Sequence, residues 1–184
     1  MNSRALLAVA DGVEDLETVT ILDVLRRAEI EVVVGSIEAG LGVTCARGSR
    51  LTADVVLADV LDQAFDLLVL PGGLAGAKRL GAHAALADKV RQQARSGRLY
   101  AAICAAPVFA LQGFGVLRQR RVTCYPSLSA HLQDCSYVDL PVVVDGTCIT
   151  SQGPATAMPF ALKLVEALVG KARSDEVSRA LLYS

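Results

Sequence analysis

Leu99-Tyr100-Ala101-Ala102-Ile103-Cys104-Ala105-Ala106-Pro107 is the stretch from which the fold can be read. The run Leu99–Ile103 is continuously apolar, as in a strand buried on both faces. Around Cys104 the residues shrink to alanine, and Pro107 then stands where a helix could begin. Proline in a first helical turn costs little, because the N–H it lacks would have no intrahelical partner there. Strand, tight turn and helix start with a nucleophile at the bend is the arrangement of a nucleophile elbow, here with Cys in place of Ser. Such a bend aims free N–H groups and the positive end of a helix dipole at the sulfur, which favours thiolate. Ala102, Ala105 and Ala106 leave room for a substrate. On chemistry alone the alternative is a packed cysteine at a strand end, since free Cys is among the most buried residue types.

Outward from this stretch, apolar runs alternate with amphipathic segments, the pattern of an α/β protein. Ala5–Ala10 reads as a first strand and Asp11-Gly12 as a turn. A helix follows to about Ala28, with Leu16, Val19, Leu22, Val24 and Leu25 as its buried face. Ile30–Val34 completes a βαβ unit. Ser36–Asp59, with Gly40, Gly42 and Gly48 around Val43-Thr44-Cys45, reads as a small hairpin or edge excursion. Phe65–Leu70 is another buried strand, and Pro71-Gly72-Gly73 at its end stands where open α/β sheets bind ligands. Such glycines also make plain turns. Ala82–Arg95 reads as a helix stopped by Gly97, and Val142–Thr150 as a hairpin around Asp145-Gly146. Gly153-Pro154 opens a helix to about Val169 with Gly170 as its cap, and Ser174–Leu182 is a last short helix. No repeat, low-complexity segment or linker interrupts residues 1–184, so one domain is expected.

Composition narrows the function classes. The 184 residues are 53% hydrophobic, high for a protein in water but in keeping with a parallel sheet covered on both faces. A formal charge of -1, with no basic stripe, gives no support for a nucleic-acid partner. No run of ~20 apolar residues suggests a membrane span, and the apolar run after Arg4 is too short for a signal peptide. Five cysteines without CxxC or CxxH spacing argue against a disulfide framework or a zinc site. A reducing cytoplasm is the expected compartment. Neither G-x-G-x-x-G nor a P-loop occurs, so a nucleotide site lacks support.

Four motifs then stand in one order: Asp11-Gly12-Val13-Glu14-Asp15-Leu16-Glu17-Thr18, Leu70-Pro71-Gly72-Gly73, Ala101-Ala102-Ile103-Cys104-Ala105-Ala106-Pro107 and Thr150-Ser151-Gln152-Gly153-Pro154-Ala155-Thr156. In combination they resemble the ThiJ/PfpI superfamily, in the branch of the Parkinsonism-associated protein deglycase and the bacterial YajL protein. The resemblance implies a flavodoxin-like three-layer sandwich, a homodimer, and a role in defence against oxidative and carbonyl stress. It places the reactive cysteine on Cys104 and the pocket acid on Glu17. The backbone amides of Gly72 and Gly73, with Ala105 beside the thiol, fall where the family lines an oxyanion or substrate pocket. Some relatives carry His in a Thr-His-Pro step near the cysteine, where this chain has Cys124-Tyr125-Pro126, so these three are candidate pocket residues. Tyr125 is a poor general base near neutral pH. Protease and amidase branches place His directly after the nucleophile, where Ala105 stands, which makes a thiol amidase or protease the least favoured reading.

Cys104 and Glu17 are therefore expected to act as a coupled pair, a protonated Glu17 donating to the thiolate. Such a pair can add sulfur to methylglyoxal or glyoxal and release lactate or glycolate, with Glu17 shuttling protons and no metal or other cofactor required. Small dicarbonyls or glycated proteins are the expected partners, protein deglycation being the related activity the resemblance implies. The alternative is a redox-sensing stress chaperone whose Cys104 oxidises to sulfinate. Cys45, Cys135 and Cys148 read as packing residues, Arg27 and Arg47 as surface arginines with a dimer or pocket role as the alternative, and His83 and His131 as solvated or locally bonded.

Overall fold

The computed structural model describes residues 3–183. β1 (Arg4–Val9), α1 (Asp15–Arg27) and β2 (Glu31–Ser36) form the expected opening unit. β3 (Gly42–Thr44) and β4 (Arg50–Thr52) pair as the expected hairpin, and β5 (Val55–Val56) then joins the main sheet beside β2. β6 (Leu67–Leu70), α2 (Leu74–Ala82), α3 (Ala84–Arg95) and β7 (Leu99–Ile103) follow. After a π-helical turn, Pro107–Leu111, two short strands pair with each other, β8 (Arg121–Val122) and β9 (Ser136–Tyr137). β10 (Val142–Asp145), β11 (Cys148–Ser151), α4 (Ala157–Val169) and α5 (Lys171–Ala180) complete the chain.

The seven-stranded sheet runs β10-β11-β7-β6-β1-β2-β5, parallel throughout except for β10 against β11. α1, α4 and α5 pack on one face, and α2, α3 and the π turn on the other. This is the flavodoxin-like three-layer sandwich. Both faces being covered, Ala5–Val9, Leu67–Leu70 and Tyr100–Ile103 are wholly buried, each leucine contributing about 2 kcal/mol or more by leaving water.

Two expectations need correcting. Leu16 and Val19 are 52% and 47% exposed. The buried stripe of α1 is Glu17, Thr18, Ile21, Val24 and Leu25, because the helix is rotated to carry an acid inward. Secondly, the expected helix Ala82–Arg95 is preceded by α2, and His83 separates the two. Its extended backbone ends α2, and its Nδ1 accepts the Leu86 N–H at 3.1 Å to cap α3. Two glycines make α2 weak by propensity. They are needed because a side chain at Gly76 would strike the Val13 backbone, and one at Gly81 the Phe109 carbonyl.

Candidate active site

From β1 the chain steps outward to β2, then returns to β6 on the other side of β1. The carboxyl ends of β1 and β6 therefore flank the switch point at which open α/β sheets bind ligands. A cleft of about 710 Å³ opens there, with Cys104, Ala105, Gly73 and Tyr125 among its walls. A second cavity, about 760 Å³, lies at the opposite end around Arg4, Glu31, Asp66 and Leu99. Its lining includes no cysteine.

Cys104 follows β7 directly with φ +65°, a left-handed conformation that costs a non-glycine residue on the order of 1–2 kcal/mol. Two backbone bonds hold it: its N–H donates to Ser151 O at 3.0 Å, and its carbonyl accepts the Tyr125 N–H at 2.8 Å. β11 and the segment after β8 thus keep the elbow sharp. Cys104 as a residue is 8% exposed at the cleft floor.

Glu17 is fully buried on α1, where its Oε2 accepts the Gly72 N–H at 2.8 Å. Its Oε1 has no partner among the described residues. The carboxyl and the Cys104 side chain flank Gly72, both within 3 Å of where a Cβ on that glycine would stand. Burial pushes Glu17 up to about 7, opposed by the Gly72 N–H, which favours the charged form. Burial pushes the Cys104 thiol up to about 12, and the Glu17 charge adds to this, while the Gly73 and Ala105 N–H groups pull it down. The thiolate-favouring effect of the helix start is smaller than its sequence suggests. The segment after Cys104 is a single π turn, too short to sum many peptide dipoles, and desolvation outweighs it.

Gly72 stands beside the pair, as expected, but its amide is not free for an oxyanion. Its N–H is occupied by Glu17, leaving Gly73 and Ala105 as the amides directed at the sulfur. Cys124 is fully buried behind the cleft, its Sγ donating to Tyr125 O at 3.4 Å, and Pro126 starts a 3-10 turn outside the lining. Neither His83 nor His131 reaches the cleft. The hairpin, in contrast, supplies a wall that sequence reasoning missed. Asp11 accepts the Thr44 N–H at 2.8 Å, and Asp15 accepts those of Arg47 and Ser49 at 2.7 and 3.1 Å. These bonds bring Cys45, Ala46 and Arg47 to the rim. The acidic run Glu14-Asp15 beside a glycine-rich hairpin was the available signal. Among the described residues, no cluster of three or more His, Cys, Asp or Glu side chains could hold a metal.

The DJ-1/PfpI family pattern matches residues 3–167. The chain belongs to the DJ-1/PfpI family. It is 44% identical to Drosophila melanogaster protein dj-1beta, over all of this chain and 99% of that one. The crystal structure of that DJ-1 protein superimposes with a TM-score of 0.97 over the whole of both chains. The oxidized DJ-1 of Toxoplasma gondii, 36% identical, also gives 0.97 over 99% of each chain. Glutathione-independent glyoxalase DJR-1.2 of Caenorhabditis elegans is 34% identical over 97% of this chain and 95% of its own. Arabidopsis thaliana protein DJ-1 homolog B is longer: at 40% identity the chain spans 41% of it. Among the described residues no helix is long and apolar enough to cross a membrane.

Proposed function

We propose that this DJ-1/PfpI protein is a cofactor-independent glyoxalase acting in carbonyl-stress defence, with Cys104 as nucleophile and Glu17 as proton carrier. The observation that carries the reading is a fully buried carboxyl, one oxygen satisfied and the other free, beside a strained thiol at the floor of a cleft. With Glu17 pushed up to about 7 and Cys104 to about 12, the pair holds two protons below neutral pH and one above it, and the reactive form is the one-proton state with the proton on Glu17. Thiolate adds to the aldehyde carbon of methylglyoxal, and Glu17 protonates the resulting oxyanion, held meanwhile by the Gly73 and Ala105 amides. The ionised Glu17 then takes the hydrogen of that carbon as a proton and returns it to the neighbouring carbonyl carbon, while the hydroxyl proton of the first carbon passes to the oxygen of the second. The aldehyde carbon is thereby oxidised to a thioester and the ketone reduced to an alcohol. Water cleaves the thioester, releasing lactate and the thiol. Glyoxal gives glycolate by the same steps, and early glycation adducts on proteins are the related substrates. The chemistry suits a reducing cytoplasm, all five cysteines being free thiols.

The test is lactate formation without glutathione. Cys104→Ser should abolish it, and Glu17→Gln should lower it by ~10²-fold or more while Cys104 is still alkylated quickly, since Gln keeps a donor but carries no proton. A second reading, a redox-sensing chaperone, is supported by the free Glu17 Oε1, which when protonated could donate to a sulfinate oxygen. Stoichiometric peroxide consumption without lactate turnover would favour it.

A further inference from the structure

Glu14 stands at the N-cap of α1, where its Oε2 accepts the Glu17 N–H at 2.8 Å. Its own N–H donates to Gly72 O at 3.1 Å, so the backbone bonds that carry Glu17 and Gly72 also carry Glu14. Capping alone does not require a glutamate. Asp, Ser, Thr and Asn are the preferred caps, all four shorter than glutamate and three of them neutral. Glutamate here adds a charge to the wall of the cleft that holds Cys104. Among the described residues no ion pair neutralises it.

Among the charged side chains of the described residues, Glu14 is the one that opposes ionisation of Glu17, adding to the larger effect of burial. Cys104 faces Glu17 from the elbow, and Cys45 and Arg47 line the cleft from the β3–β4 turn. Asp15 is engaged by the hairpin N–H groups. α2 presents only Leu74 and Ala75 to the cleft. Lys163 and Glu166, on α4 behind α1, pair with each other at 2.6 Å. Arg47 shares the rim but forms no ion pair with Glu14.

We propose that Glu14 is a positioning residue for the Glu17–Cys104 pair, a standing negative charge anchored on the Glu17 amide that keeps the shared proton from leaving. The charge opposes ionisation of Glu17, in the direction already set by burial. This rests on the proposed roles of Glu17 and Cys104, and it deepens them by saying where the working pH range is set.

The experiment compares wild type with Glu14→Gln, which keeps a capping acceptor and loses the charge. Rates of methylglyoxal turnover and of Cys104 alkylation by iodoacetamide are both followed against pH. Without the nearby charge each proton leaves more readily, so both limbs of the turnover profile, and the alkylation profile, should move to lower pH by about half a unit to one unit. Glu14→Asp, which restores a charged cap, should return them towards wild type. A cap without electrostatic influence would lower the melting temperature and leave all profiles in place, and that result overturns the proposal. If Glu14→Gln does not fold, the same comparison is made between Glu14→Asn and Glu14→Asp, both strong caps differing in charge. Turnover surviving in Glu17→Gln would instead overturn the underlying glyoxalase reading. An alkylation profile unmoved in a folded neutral variant overturns the role of Glu14 alone.

Discussion

At Cys104 two strains meet, a left-handed backbone and a sulfur removed from water. They can be separated. Glycine occupies φ +65° without a Cβ penalty, so Cys104→Gly should be more stable than Cys104→Ala by about 1 kcal/mol in urea unfolding, the reverse of the usual order. Equal stabilities would mean that the elbow relaxes once the thiol is gone. Glu17 makes a second prediction through its proton. Its folded value, about 7, lies above the ordinary carboxylate value of 4.5. The folded state therefore binds the proton more tightly than the unfolded chain does. The stability this confers is complete below pH ~4.5 and is lost as pH rises towards ~7. Wild type should thus lose on the order of 1–3 kcal/mol between pH 4.5 and 8 relative to Glu17→Gln, which has no proton to lose there. Parallel curves of melting temperature against pH for the two proteins would contradict it.

At the scale of elements, the β6–α2 connection brings Gly72 between the two reactive side chains. A Cβ on Gly72 would lie 2.5 Å from Cys104 Cβ and 2.7 Å from Glu17 Oε2. Gly72→Ala should therefore force the pair apart and reduce turnover by ~10²-fold or more, an effect expected when reacting groups are misplaced by about 1 Å. Its φ lies outside the left-handed range, so the loss should come from contact rather than from backbone strain. A variant with wild-type turnover would show that the carboxyl can move without consequence. The β3–β4 hairpin illustrates the same dependence on contact. Its strands could be anticipated from Val43-Thr44-Cys45 and the glycines around them, but its place over the cleft depends on Asp11 and Asp15 accepting its N–H groups.

Across the whole molecule, Leu16 and Val19 remain exposed on α1, one helical turn apart, while the central strands β1, β6 and β7 are covered. This apolar surface suits the homodimer that the family resemblance leads one to expect. Sedimentation at micromolar concentration should give twice the 19.3 kDa chain mass, and Val19→Glu should shift the protein towards monomer. A monomer in wild type would remove that reading. The sequence by itself determined the layered α/β architecture, because the apolar runs of β1, β6 and β7 are soluble only inside a sheet covered on both faces. It also determined the elbow, since a thiol among alanines between such a run and a proline has few other local conformations. It marked Cys104 and Glu17 through the motifs around them. Only the tertiary structure decided that Glu17 points inward while Leu16 and Val19 point out, a rotation of α1 that helical periodicity alone does not choose. Only the fold gave the Gly72 amide to Glu17 and left Gly73 and Ala105 for the sulfur. Hydrogen bonds across 55 residues of chain depend on how β6 meets α1, and no local pattern carries that information.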